Sequence, residues 1–252
     1  MATNGAANGH NSHNMSPKIT LYTNHSCPYA QRAHITLDSL NLKYEEVIID
    51  LATPRPQWYL DINPRGLVPS IKYSVPGIID EEIVTESAIV AQFLCDMFPS
   101  PLLPASKESP TSALFRARVN FFVDTWNTKI APVQMSIMKA SSDSEKVAEC
   151  TKWTEIIKKE IEPLLANVNP FFGGSSELTF VEVFTAPFIL RWFAFIKDGE
   201  MFPSSLGDKL DALPNFTKWR KAIQGNEHVV RVFDEEAIVS STKKRMKQMQ
   251  AK

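Results

Sequence analysis

The sequence predicts an α/β domain followed by an all-α domain. Three observations carry this reading: strand and helix patterns alternate from Lys18 to about Met97, prolines crowd between Phe98 and Pro110, and strand signals nearly vanish beyond that point. At 252 residues the chain fits two modest domains with ample apolar sequence for their cores. Hydrophobic residues make up 44% and charged residues 22%, the balance of a soluble globular protein. A formal net charge of -1 gives no electrostatic case for nucleic acid. No stretch approaches the roughly 20 apolar residues of a membrane span. The expected division is a disordered tail over 1–17, an α/β domain over 18–98, a linker over 99–110 and a helical domain over 111–252.

The elements follow in order. The first seventeen residues, rich in Asn, Ala, Gly, Ser and His, lack a basic n-region and an apolar h-region, so they read as a tail and not a secretory signal. His10 and His13 there lack nearby Cys or acidic partners, and no metal is assigned. A strand over Lys18 to Thr23, a helix from Pro28 to about Leu40 and a strand over Tyr44 to Ile49 make a βαβ unit. A short helix around Gln57 to Asp61 precedes the turn Asn63-Pro64-Arg65-Gly66. The next strand, Leu67 to Tyr73, contains Pro69, which cannot donate to a ladder. An edge position or a functional bend, with a cis Val68–Pro69 bond, is therefore expected. A strand near Glu82 to Val84 and a helix from Glu86 to Met97 complete the unit.

Pro99, Pro101, Pro104 and Pro110 exclude a regular element in the linker. Beyond it, Phe115, Val119, Phe122 and Trp126 follow one helical face. Thr179-Phe180-Val181-Glu182 reads as a capping box flanked by Leu178 and Val183 as a hydrophobic staple, starting a helix that Pro187 kinks. The basic end, Lys243, Lys244, Arg245 and Lys247, is expected to be solvated.

The chemistry concentrates in Cys27-Pro28-Tyr29-Ala30-Gln31-Arg32, where strand gives way to helix. A thiol at a helix start faces unpartnered N–H groups and the positive end of the helix dipole, so the thiolate is favoured. Pro28 suits the first helical position. Ala30 stands where a Cys-x-x-Cys enzyme keeps its resolving thiol, so any disulfide chemistry at Cys27 requires an outside thiol. Cys95 shares an apolar face with Ala88 and Ala91 and reads as core; Cys150 lies in a polar helical stretch and is expected near the surface. Three cysteines far apart in sequence argue for a reducing compartment, the cytoplasm being the simplest. Tyr22 reads as a strand residue, Ser26 as a turn residue and His25 as incidental.

That hexapeptide, then Arg55-Pro56-Gln57-Trp58-Tyr59, Asn63-Pro64-Arg65-Gly66-Leu67-Val68-Pro69 and Glu86-Ser87, in this order and spacing, resemble the cysteine-type glutathione transferases, with the omega and lambda classes most similar. The resemblance runs from about Lys18 to Phe233. It implies a thioredoxin-like N-terminal domain, an all-α C-terminal domain and a glutathione site between them. Carried over, it makes Cys27 the catalytic residue and assigns glutathione contacts to Cys27, Pro28, Tyr29, Arg55, Val68, Pro69, Glu86 and Ser87. Val68, before a cis-Pro69, would pair with the cysteinyl backbone. Glu86 and Ser87 would hold the γ-glutamyl end. Arg55 stands where omega-class enzymes usually have a lysine reaching the glycyl carboxylate, and its fork keeps the charge. The acidic member of the capping box is usually Asp in this family, whereas Glu182 stands here.

The resemblance implies glutathione as co-substrate, no metal, and thioltransferase chemistry: deglutathionylation, dehydroascorbate reduction and removal of glutathione from conjugates. The acceptor would be a small electrophile, a disulfide or a glutathionylated thiol, and the assembly a homodimer without nucleic-acid or membrane partners. Candidates for a second-substrate site are Phe122, Thr125, Trp126, Met138, Trp192 and Phe193, whose spacing equally suits core packing. Two alternatives stand beside this reading. One is a conjugating transferase acting in detoxification or secondary metabolism. The other is a non-catalytic module that uses the fold to bind a ligand or partner.

Overall fold

A computed structural model describes residues 16–250. The tail assignment, including His10 and His13, lies mostly outside the described residues. The chain begins with β1 (Lys18–Thr23), α1 (Pro28–Ser39) and β2 (Glu45–Ile48), then α2 (Gln57–Ile62), β3 (Ser70–Val75), β4 (Ile79–Thr85) and α3 (Ser87–Met97). The strands form one sheet in the order β2-β1-β3-β4. β1 and β2 run parallel with Leu21 opposite Glu46, and β1 and β3 antiparallel with Leu21 opposite Ile71. The β3–β4 pair is antiparallel and irregular between Tyr73 and Val75. A parallel βαβ unit followed by an antiparallel hairpin and a helix is the thioredoxin-like topology.

The sheet is covered on both faces. Ile19, Leu21, Ile71 and Tyr73 pack with Ala33, Leu37, Val90 and Leu94 of α1 and α3. Tyr22, Ala30, Ile49, Tyr59 and Val68 form a second, smaller cluster against which Cys27 packs. The sequence reading placed Pro69 inside a strand; the strand instead begins at Ser70, and Pro69 ends the preceding loop through a cis Val68–Pro69 bond. The missing N–H is thereby kept out of the ladder.

The helical half contains α4 (Pro110–Thr125), a π-helical turn over Trp126–Ile130, α5 (Ala131–Lys139), α6 (Asp143–Glu160), α7 (Phe180–Asp198), α8 (Ser205–Asp211), α9 (Pro214–Gly225), α10 (Glu227–Val230) and α11 (Glu235–Gln250). Pro110, counted with the linker above, is the first residue of α4. α7 is buried almost throughout and passes through Pro187 without ending. Its capping box is made: Glu182 Oε2 accepts from the Thr179 N–H at 2.8 Å. The same carboxylate reaches further than the sequence motif implies. Glu182 Oε1 accepts from the Phe172 N–H at 2.8 Å and from the Trp219 indole at 2.6 Å, so one buried side chain ties three segments together. Lys243 is not free in solvent as expected: its ammonium meets Asp198 at 2.6 Å and Glu200 at 2.8 Å, fastening α11 to the end of α7.

The two halves meet along α1, which packs on α3 and on α7 and α10. At its far end Asp38 accepts from His228 Nδ1 at 2.7 Å and from Arg231 at 3.0 Å. The docking of the halves is therefore polar as well as apolar. Among the described residues no helix is long and apolar enough to cross a membrane.

Candidate functional site

Cys27 is the N-cap of α1, with extended backbone (φ -86, ψ 119), Pro28 next in line and no side chain capping the helix. The first-turn amides thus remain available to an anion. The turn before it is held by the Cys27 N–H donating to the Asn24 carbonyl at 3.0 Å, while the Asn24 amide donates to the Ile49 carbonyl at 2.9 Å. Cys27 is half-buried, and its Sγ lies 3.9 Å from the Val68 carbonyl, the residue before the cis bond. The loop that delivers Val68 is pinned from both sides. Tyr59 OH and the Asn63 amide donate to the Leu67 carbonyl at 2.6 and 2.9 Å. Gly66 sits at φ +62, where an added Cβ would meet the Arg55 side chain at 3.0 Å. Only glycine suits that close, left-handed position.

Arg55 itself wraps this loop. Its Nε donates to the Gly66 carbonyl at 2.9 Å, and one terminal nitrogen donates to the Asp50 and Thr53 carbonyls, each at 2.7 Å. The geometry therefore gives Arg55 a bracing role that the sequence reading did not anticipate.

Glu86 and Ser87 open α3. Glu86 is its N-cap at φ 70, a left-handed conformation that costs a residue with a Cβ roughly 1–3 kcal/mol and that clusters at functional sites. Its carboxylate pairs with Arg65 at 2.5 Å. The Ser87 hydroxyl accepts from Arg32 at 2.9 Å. Tyr29 is half exposed, its ring edge-on to Phe188 of α7 at 5.4 Å, so it stands at the junction of the halves.

Two buried arginines back the thiol: Arg32, quoted in the hexapeptide but given no role there, and Arg191, which the sequence reading did not single out. Arg32 donates to the Phe184 carbonyl at 2.8 Å and stacks its guanidinium 3.4 Å over the Phe184 ring. Arg191 donates to the Ser26 carbonyl at 3.2 Å and to the side-chain oxygen of Gln31 at 2.5 Å. Burial pulls Arg32 down to about 9 and Arg191 down to about 10, in each case opposed by attraction to Cys27, so both stay cationic at neutral pH. Two cations thus stand near the sulfur, and the helical half supplies one of them. The signal was present in sequence: Arg191 is the lone charged residue in the run Phe184 to Ile196.

The other expectations separate. Tyr22 is buried against Tyr59 and Ser26 is an exposed turn residue. His25 pairs with Glu46 at 3.1 Å and stacks on His34. Cys95 is buried, with burial pushing its thiol up to about 12. Cys150, expected near the surface, is also buried and pushed up to about 11, because it lies on the inward stripe of the amphipathic α6 beside Trp153 and Ile157.

The proposed second-substrate set does not line an open site. Phe122, Trp126 and Trp192 belong to the large core, with Trp126 and Trp192 stacked at 5.0 Å, and the Thr125 hydroxyl is spent on the Phe121 carbonyl. Met138 and Phe193 are partly buried against the same core, Phe193 beneath the Arg220 guanidinium. Their spacing reports packing. A groove of about 500 Å³, lined by Lys129, Val133, Lys152, Ile156 and Lys159 among others, lies between α5 and α6 and shares no residue with the Cys27 site.

A thiol at a helix start, facing the carbonyl before a cis-proline in a thioredoxin-like sheet, defines the class. Residues 21–102 match the family described as glutathione S-transferase, N-terminal domain. Glutathione S-transferase omega-1 of Mus musculus is 28% identical over 209 residues, which cover 82% of this chain and 77% of that protein. Glutathione S-transferase DHAR3, chloroplastic, of Arabidopsis thaliana is 34% identical over 97 residues, 38% of this chain and 35% of that protein. Among solved structures, glutathione transferase Omega 2C from Trametes versicolor superposes with a TM-score of 0.73 at 28% identity, covering 91% of this chain and 98% of that one. Residues 21–102 thus carry a glutathione S-transferase N-terminal domain, and over most of its length the chain is similar to omega-class glutathione transferases.

Proposed function

We propose that this enzyme is a glutathione-dependent thioltransferase working through a single cysteine. The Cys27 thiolate attacks the glutathionyl sulfur of a mixed disulfide, breaking its S–S bond and expelling the other thiolate, which takes a proton from solvent. A second glutathione, as thiolate, then attacks the Cys27–glutathione disulfide, releasing oxidised glutathione and restoring the Cys27 thiolate. The observation that carries this reading is the isolation of Cys27: it caps a helix beside the Val68 carbonyl, while Cys95 and Cys150 are both buried and pushed up in pKa. No neighbouring thiol can resolve it internally.

In this proposal Val68, before Pro69, pairs its backbone with the cysteinyl unit. Glu86 and Ser87 receive the γ-glutamyl end, Pro28 and Tyr29 flank the sulfur, and Arg55 holds the loop and turns its remaining terminal nitrogen to the glycyl carboxylate. Dehydroascorbate is a candidate acceptor alongside glutathionylated thiols. The three free thiols suit a reducing compartment such as the cytoplasm. Leu114 and Phe121, seven residues apart on α4, and Ile89 on α3 leave apolar side chains exposed on helices joined by the Arg116–Asp96 pair, and this supports a homodimer. We divide the chain functionally at the segment 99–109, with the glutathione site on its N-terminal side.

Reduction and conjugation are separable on one preparation. Reduction of a small glutathione mixed disulfide is expected to proceed readily while conjugation of an aryl halide stays near its uncatalysed rate. Fast conjugation without disulfide reduction would replace this reading with the conjugating one.

A further inference from the structure

Three elements bring two imidazoles and a carboxylate together beside the Cys27 turn. His25 lies in the turn between β1 and α1, His34 on the second turn of α1 and Glu46 on β2, and their ligand-capable atoms all lie within 4.8 Å of one another. Glu46 presents a different oxygen to each ring: Oε2 is 3.1 Å from His25 Nε2, and Oε1 is 3.6 Å from His34 Nε2. Metal–ligand bonds of about 2.0–2.1 Å in a tetrahedral shell place neighbouring donors roughly 3.3 Å apart, and each imidazole nitrogen has a Glu46 oxygen near that distance, so a small rotation of the carboxylate and rings brings three donors onto one ion. We propose that His25, His34 and Glu46 form a binding site for a divalent transition-metal ion of the zinc type, separate from the glutathione chemistry.

The surroundings suit that role. His34 is buried, and its Nδ1 lies 3.2 Å from the Tyr44 hydroxyl. With Nδ1 donating to that oxygen, Nε2 carries the lone pair, and Tyr44 fixes ring and tautomer as outer-shell partners of metal-bound histidines do. Thr23 Oγ1 is 2.8 Å from the same nitrogen, and metal binding exchanges that hydrogen bond for a coordinate bond. His25 and Glu46 are 60% and 31% exposed, which leaves a path for the ion and room for water in the fourth position. A lone surface ion pair needs one nitrogen and one oxygen. Here both carboxylate oxygens face separate imidazoles whose rings stack at 4.9 Å. Two histidines and one glutamate with an open position favour zinc-type ions over calcium or magnesium, which take oxygen ligands. Residues 25, 34 and 46 show no motif spacing, so the sequence reading assigned no metal.

The test is made on full-length chain in which Cys27, His10 and His13 are replaced by alanine, removing rival ligands outside the cluster. Zinc is titrated against a chromophoric chelator, and cobalt is followed by its visible absorption. The expected result is one ion per chain, with His25→Ala and Glu46→Gln each weakening binding at least roughly tenfold. Both positions are on the surface, so circular dichroism should be unchanged in each variant. No binding by the parent chain, or parent affinity retained in either variant, overturns the site.

Discussion

Replacing Cys27 by alanine is expected to lower reduction of a small glutathione mixed disulfide by at least roughly a thousandfold, because no other group in the site can form the covalent intermediate. The rate of release of oxidised glutathione, measured with excess reduced glutathione, checks this. The fold should be unaffected. Cys27 is an N-cap without a side-chain hydrogen bond to the helix, and its sulfur only borders the small cluster around Tyr22, Tyr59 and Val68. An activity loss with an unchanged unfolding midpoint therefore isolates chemistry from stability. Activity retained in Cys27→Ala would move the reaction to the glutathione thiol alone and favour the conjugating mechanism.

Glu182→Ala is expected to produce the largest loss of stability, about 3–5 kcal/mol, because several buried donors lose their acceptor at once, at about 1–3 kcal/mol each before relaxation. Burial pushes the Glu182 carboxyl up, while bonds from Thr179, Trp219 and the Phe172 amide pull it back. Truncation strands two backbone N–H groups, the Thr179 hydroxyl and the Trp219 indole inside the core, each with its own desolvation penalty. A shift of the denaturant midpoint with little change in slope is the expected observation. Since α7 also carries Arg191 and packs on α1, partial loosening there should reduce the reactivity of Cys27 before the chain unfolds.

These two residues show what sequence does and does not disclose. Cys27 was legible because every cue is local: the strand, the thiol, Pro28 and the helix follow one another, and the geometry they specify is the one found. The Thr179–Glu182 box was legible for the same reason. Its extension to Trp219 was not, because the partner lies 37 positions away and only packing brings it near. The bond from Arg191 to Gln31, 160 positions apart, was missed on the same ground. Pro69 was placed one element too late because the strand-like run from Leu67 to Tyr73 looks continuous, while the ladder starts only at Ser70, after the proline that cannot donate to it. Cys150 was misjudged because α6 is polar in composition although it buries one stripe. Phe122, Trp126 and Trp192 illustrate the converse: a helical spacing of aromatics is indifferent to whether the face meets a substrate or another helix.

Arg55 adds a finer point. A cation at the expected position can serve the ligand directly or hold the loop that does. In this chain the loop contacts are explicit, three donations to backbone carbonyls around a glycine that tolerates no Cβ. Local sequence identified the residue, and only the fold showed how much of its guanidinium is already engaged.

The central claim concerns one sulfur and one tripeptide. Protein incubated with oxidised glutathione, digested under non-reducing conditions and mapped by mass spectrometry, should carry a single glutathionyl group on Cys27, removed by added reduced glutathione. Unmodified Cys27, or modification confined to Cys95 or Cys150, would contradict it.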